Sequence, residues 1–188
     1  MFQTLEKLSD SCRQCVKCKL SNTRKNVVIS RGNPKAKLML IGEGPGEQED
    51  IQGLPFVGKA GQLLDLLLKA QKFPDDSYYI ANIVKCRPPG NRVPDESEAM
   101  ACLPYLRNQV AIIRPSIIVC MGGVAAKYII DKGISITKAR GRFIERNNFL
   151  IMPTFHPAAL LRDDTKKEPM WNDFLLVKEK MQEDGYWS

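Results

Sequence analysis

Cys15, Cys18, Cys86 and Cys102 are the residues of this chain most easily read as a metal-holding set. Cys15 and Cys18 form a C-x-x-C; Cys86 stands in K-C-R-P-P-G-N-R and Cys102 in E-A-M-A-C-L. Four thiolates can hold one iron–sulfur cluster or one structural zinc. Zinc ribbons and fingers use two close pairs. Only one close pair is present here, and a four-thiolate [4Fe–4S] site tolerates the wide spacing. Cys12-Arg-Gln-Cys15 is an equally good C-x-x-C, so spacing leaves both pairings open. Cys120, inside the apolar run I-I-V-C-M-G, reads as a small core hydrophobe.

A second set of residues could handle a planar, polar-edged ligand. Phe56 offers a stacking face, although core packing is the ordinary fate of a phenylalanine. Asn82 sits in the apolar segment Y-Y-I-A-N-I-V. A buried amide must find partners, and its paired donor and acceptor suit the edge of a nucleobase. His156 is the chain's single histidine, so any imidazole chemistry falls to it. Gly42-Glu-Gly-Pro-Gly46 fails the dinucleotide spacing and lacks the G-K-[ST] of a P-loop. It reads instead as a tight turn whose glycines admit a ligand close to the backbone, ringed by Glu43, Glu47, Glu49 and Asp50. Leu160, Leu161 and Arg162 follow His156 and read either as an apolar wedge with a cation or as the start of an ordinary helix. Such wedges fill the gap left when a base leaves the stack.

These residues need elements to position them. Apolar runs starting at Leu38, Tyr78, Ile117 and Phe149 predict four strands. Helical patterns predict helices over 60–72, from Pro94 to about Ile113, from Gly123 to Asp131 and from Trp171 to Met181. Alternation of this kind implies parallel pairing with right-handed crossovers. The expected fold is a single α/β domain over 1–188, a three-layer α/β/α sandwich on a four-stranded parallel sheet. Ligands of open α/β sheets bind beyond the carboxyl ends of the strands. The glycine loop, K-C-R-P-P-G-N-R and T-F-H-P-A-A-L-L-R all follow predicted strands and should converge there.

Composition sets the outer bounds. A hydrophobic share of 44% and a charged share of 26% are ordinary for a globular domain. No apolar run reaches the roughly 18 residues of a membrane span, and the N-terminus lacks a signal-peptide pattern. A cytoplasmic location is expected, where six cysteines do not read as three disulfides. The net charge of +7 suits a polyanionic partner.

Four segments in order, G-E-G-P-G-E-Q-E-D, P-F-V-G-K-A-G-Q-L-L-D, Y-I-A-N-I-V-K-C-R-P-P-G-N-R and T-F-H-P-A-A-L-L-R, resemble the family 4 uracil-DNA glycosylases, iron–sulfur enzymes of bacteria and archaea. The resemblance covers nearly the whole chain. It implies an enzyme of base excision repair that flips deoxyuridine from single- or double-stranded DNA and hydrolyses its N-glycosidic bond. It implies a [4Fe–4S] cluster, and the distance to Asn26-Val-Val aligns Cys15 and Cys18 with the family's close pair, with Cys86 and Cys102 completing the set. By the same resemblance Phe56 stacks on uracil, Asn82 reads its polar edge and His156 donates to its O2. Gly42, Glu43 and Gly44 line the pocket, and Glu49 crowds the C5 side against thymine. Leu160, Leu161 and Arg162 enter the minor groove, with Arg87 and Arg92 as further DNA contacts.

Related glycosylases carry an acid beside the first-motif proline, where this chain has Gly44. That leaves Glu43, Glu49 or Asp50 to orient water. No lysine stands in a Schiff-base position, so a monofunctional enzyme is expected, acting as a monomer, with any sliding-clamp contact left open. The competing readings are a non-catalytic, cluster-stabilised DNA-binding module and a same-fold glycosylase for another deaminated base such as hypoxanthine.

Overall fold

A computed structural model describes residues 2–146 and 148–187. In chain order the elements are α1 (Leu5–Arg13), β1 (Arg31–Gly32), β2 (Leu38–Gly42), α2 (Glu47–Gln52), α3 (Lys59–Ala70), β3 (Tyr78–Asn82) and α4 (Glu96–Ile113). They continue with β4 (Ile117–Met121), α5 (Gly123–Ile129), α6 (Ile136–Ala139), β5 (Ile144–Arg146), β6 (Phe149–Thr154), α7 (Pro157–Leu160) and α8 (Lys167–Glu183).

The four strands expected from the apolar runs form the centre of the sheet, paired in parallel in the order β3-β2-β4-β6. The sheet itself has six strands rather than four. Two short antiparallel edges, β1 against β3 and β5 against β6, flank the parallel core. Edge strands of two or three residues carry no readable periodicity, and they shield the open ladders of the long strands.

Residue alternation along the strands sorts the core into two faces. Leu38, Leu40, Ile80, Val119 and Met152 point to a face covered by α3 and α8. Met39, Ile41, Ala81, Ile118 and Cys120 point to the other, covered by α4 and α5. That is the three-layer α/β/α arrangement. Helix α1 lies outside α4, where Leu8 and Cys12 pack on Tyr105.

Local chemistry explains the helix ends near the site. Asp95 caps α4 with Glu98 returning to its backbone N–H (2.8 Å), and Arg114 closes the helix in the left-handed region at φ 53°. Helix α8 starts four residues before the Trp171 expected from the sequence. No helix among the described residues is long and apolar enough to cross a membrane.

Candidate active site and cysteine cavity

The carboxyl ends of β2, β3 and β6 deliver three loops to one cleft of about 690 Å³. Glu43, Gly44, Phe56, Asn82, His156 and Arg162 all line it. The sequence reading placed these residues together, and the structure brings them together.

Gly42 and Asn82 are register partners at the ends of β2 and β3. A Cβ at Gly42 would lie 2.5 Å from Asn82 Oδ1 and 2.6 Å from Phe56 Cζ, so only glycine fits between them. Asn82 Oδ1 is buried and has no hydrogen-bond partner. An orphaned buried acceptor carries a desolvation penalty of about 1–3 kcal/mol, so a ligand that bonds to it gains correspondingly. The Asn82 head presents unused hydrogen-bonding capacity to the cleft.

His156 caps α7, its Nδ1 accepting from the Ala158 N–H at 3.1 Å. That bond assigns the proton of the neutral ring to Nε2. Burial, helped by the nearby Arg162 charge, lowers the imidazole to about 4. His156 is therefore an uncharged donor at neutral pH. Its ring tilts against Phe56, with centroids 5.6 Å apart. Gly122, at φ 92°, lets the end of β4 approach: a Cβ there would stand 3.0 Å from His156 Cβ. Two residues upstream of His156, Thr154 Oγ1 donates to buried Asp173 of α8 at 2.5 Å, fixing the end of β6.

Phe56 adopts φ 56°, the left-handed region that a phenylalanine rarely occupies. Glu49 provides the constraint that holds it. Its Oε1 accepts from the N–H groups of Val57 (2.8 Å) and Gly58 (2.7 Å), and its Oε2 from Gly46 (3.1 Å). Both carboxylate oxygens accept backbone N–H groups, so Glu49 braces the Phe56 loop against the glycine loop. Asp50 accepts through Oδ1 alone, from the N–H groups of Lys25 (2.9 Å) and Asn26 (3.2 Å), which ties α2 to the segment before β1. Glu47 is exposed, 3.7 Å from Arg87. Glu43 is the carboxylate of the loop with no partner among the described residues, and burial raises its pKa.

The structure divides the expected DNA-contact residues. Leu160 is only 2% exposed and packs in the core beneath α7, so it cannot enter a groove. Leu161, one residue on, is 52% exposed. Arg162 is exposed at the cleft. Arg92 forms a two-pronged pair with buried Glu98 (2.7 and 2.8 Å), which makes it a clamp on the start of α4. Arg87 is half-buried and donates to Asn91 Oδ1 at 2.8 Å.

The cysteines line a separate small cavity between α1, α4 and the segment after β3. Cys15, Cys18, Cys86 and Cys102 are there, and so is Cys12. Cys120 lies elsewhere in the core, as a hydrophobe. All six thiols are free. Burial raises the Cys86 thiol and pushes Cys102 to about 11 and Cys12 to about 12. Two donors point at sulfur: Arg24 Nη1 to Cys86 Sγ (3.4 Å) and the Lys85 N–H to Cys102 Sγ (3.3 Å). Arg24 also holds the Cys15 carbonyl at 2.7 Å. Among the described residues, no three His, Cys, Asp or Glu side chains are placed to hold one metal ion. The donor chemistry, thiols around a shared cavity with N–H groups aimed at sulfur, fits a thiolate cluster.

Sequence reasoning missed Arg24, Lys85, Gly122 and Asp173. Lys85 is fully buried, and burial lowers its ammonium to about 8. Its position between Val84 and Cys86 was the only available signal.

Comparison with known proteins agrees with this geometry. The Uracil DNA glycosylase superfamily profile matches residues 29–175. The type-4 uracil-DNA glycosylase of Saccharolobus solfataricus is 45% identical over 189 residues, covering 96% of this chain and 88% of the relative. The chain belongs to the type-4 uracil-DNA glycosylases. The type-4 enzyme of Thermotoga maritima is 44% identical, covering 86% of this chain and 85% of its own. That of Archaeoglobus fulgidus is 37% identical, covering 93% and 94%.

Proposed function

We propose that this chain is a monofunctional uracil-DNA glycosylase: it releases uracil from DNA, leaving an abasic site for base excision repair. The observation that carries the proposal is the orphaned Asn82 head beside the Phe56 ring and the neutral His156, in one cleft.

The target base must leave the duplex, because its glycosidic bond is hidden in the stack. Phe56 provides a face for the flipped ring. Asn82 pairs with its polar edge, and that bond relieves the buried, unpaired Oδ1. Breaking the N-glycosidic bond leaves the electron pair on uracil, with negative charge at O2, and cationic character on the sugar. His156 Nε2–H donates to O2 as that charge develops. One well-aimed donor of this type is worth ~3–4 kcal/mol in the transition state. Glu43 is the carboxylate free to orient the attacking water or to stabilise the sugar cation. Leu161 fills the gap left in the stack, and Arg162 meets the backbone nearby. Cys15, Cys18, Cys86 and Cys102 would hold a [4Fe–4S] cluster, which supplies a covalent cross-link among α1, α4 and the Asn82–Cys86 segment. One domain, acting as a monomer in the cytoplasm on single- or double-stranded uracil-containing DNA, suffices for this scheme.

The test is an oligonucleotide carrying one deoxyuridine, treated with the protein and then with alkali. Strand cleavage only after alkali supports the proposal. Cleavage without alkali, or no cleavage, rejects it. A parallel substrate carrying hypoxanthine should remain intact.

A further inference from the structure

Lys85 is among the largest fully buried side chains of the described residues, at 0% exposure. A buried ammonium without good partners costs several kcal/mol, and an apolar side chain of similar volume often replaces a buried ion at no loss of stability. Stability alone therefore gives no reason for a lysine here.

Its contacts point elsewhere. Lys85 Nζ donates to the Asn82 carbonyl at 2.8 Å and to Gln109 Oε1 at 2.6 Å. The β1 ladder ends at Ile80, so the Asn82 carbonyl lies beyond the reach of that edge strand. Lys85 supplies the missing donor. Gln109, on α4, is held in turn by Ile29 O (3.2 Å) and Tyr79 Oη (3.0 Å), and Tyr79 donates to Ser30 Oγ at 2.6 Å. On the other side of Asn82, the N–H groups of Ile83 and Val84 bond to the carbonyls of Gly42 (2.9 Å) and Glu43 (3.1 Å). The peptide carrying Asn82 is thus fixed from both edges, and one edge depends on Lys85. The backbone N–H of Lys85 reaches Cys102 Sγ at 3.3 Å, and the residue lines the cysteine cavity. One residue touches both clusters.

We propose that Lys85 is a positioning residue for the base-reading Asn82, linking it through Gln109 to α4 and the cysteine cavity. It does not touch the base. Losing it lets the Asn82 peptide rotate, and a misplacement of about 1 Å in a positioned group lowers turnover by up to about 100-fold. The inference rests on the proposed uracil-binding role of the cleft.

The experiment compares wild type with Lys85→Met, which keeps the volume and removes the donor. Four quantities are measured: iron content with visible absorbance, melting temperature, kcat and KM for uracil release, and inhibition by free uracil. The expected result is retained folding and KM within about threefold, with kcat lowered roughly 10–100-fold. Free-uracil inhibition should weaken by a similar factor. If Lys85→Met does not yield folded protein, Gln109→Leu decides on the same readouts, because it keeps the ammonium but removes its second anchor. Unchanged kcat and uracil inhibition in the deciding variant would overturn the inference, as would a loss of activity no larger than its loss of iron. A wild-type protein that releases no uracil would instead reject the proposed function, and the two failures are distinguishable.

Discussion

The cleft beside Asn82 and the cavity around Cys86 lie four residues apart on one segment, yet they treat their polar groups in opposite ways. The cleft leaves them free. Asn82 Oδ1 has no partner, Glu43 has none among the described residues, and His156 uses only Nδ1. The cavity satisfies its groups. Arg24 and the Lys85 N–H donate to sulfur, and Lys85 Nζ has two acceptors. Unused hydrogen-bonding capacity costs stability and marks where a ligand is expected, while satisfied groups mark where the fold is tied together. On the proposed function, chemistry belongs to the first region and bracing to the second.

That contrast is open to breakage by substitution, and the largest effect should come from the cleft. His156→Ala should lower single-turnover uracil release by about 100- to 1,000-fold, matching the loss of one transition-state donor. Affinity for DNA carrying an abasic analogue should change little. Asn82→Ala should follow the same pattern. In the cavity, Cys86→Ala should show the reverse order: a lower melting temperature, loss of visible absorbance and weaker DNA binding first, with turnover per folded molecule changed least.

The adjacent leucines sharpen the comparison further. Leu160→Ala should destabilise the fold by about 2–5 kcal/mol, as core truncations do, measured by denaturant unfolding. Leu161→Ala should shift stability by less than about 0.5 kcal/mol. Its excision of uracil from duplex should fall relative to single strand. Glu49→Gln should remove about 1.5–3 kcal/mol by weakening charged hydrogen bonds to the Val57, Gly58 and Gly46 amides. It should slow excision through Phe56 without changing the pH profile.

The smallest effect concerns pH. His156 has a folded pKa of about 4, below the 6.5 of a free imidazole. The unfolded chain therefore takes up the proton first as pH falls. The contribution of His156 to stability is intact above about 6.5 and declines as pH drops toward 4. Because the neutral ring is the donor, the His156-dependent part of turnover should stay flat from pH 8 to well below 6. A step near 6.5 that disappears in the His156→Ala variant would contradict the neutral assignment.

Much of this was legible before any coordinates. The runs at Leu38, Tyr78, Ile117 and Phe149 gave four strands because buried parallel strands are continuously apolar. Strand order then brought Gly42, Asn82 and His156 to one edge. What stayed hidden depended on three-dimensional detail. Leu160 and Leu161 are the same residue type, and only the turn begun by Pro157 sends one inward. Glu49 looks like a free acid until the amides eight and nine residues downstream are seen to take its oxygens. Arg92 reads as a free cation until Glu98, six residues on, is found paired with it. Helix α1 did carry a signal, since Leu5, Leu8 and Cys12 keep helical spacing, but the cysteine motif overlapped it.

The division between the two regions is tested most directly by measuring uracil release and DNA affinity side by side for His156→Ala and Cys86→Ala. The account predicts that His156→Ala binds DNA as wild type does and releases uracil about 100-fold or more slowly, while Cys86→Ala loses stability and binding before turnover. A His156→Ala protein that excises at the wild-type rate, or a Cys86→Ala protein that folds and binds normally but cannot excise, would contradict it.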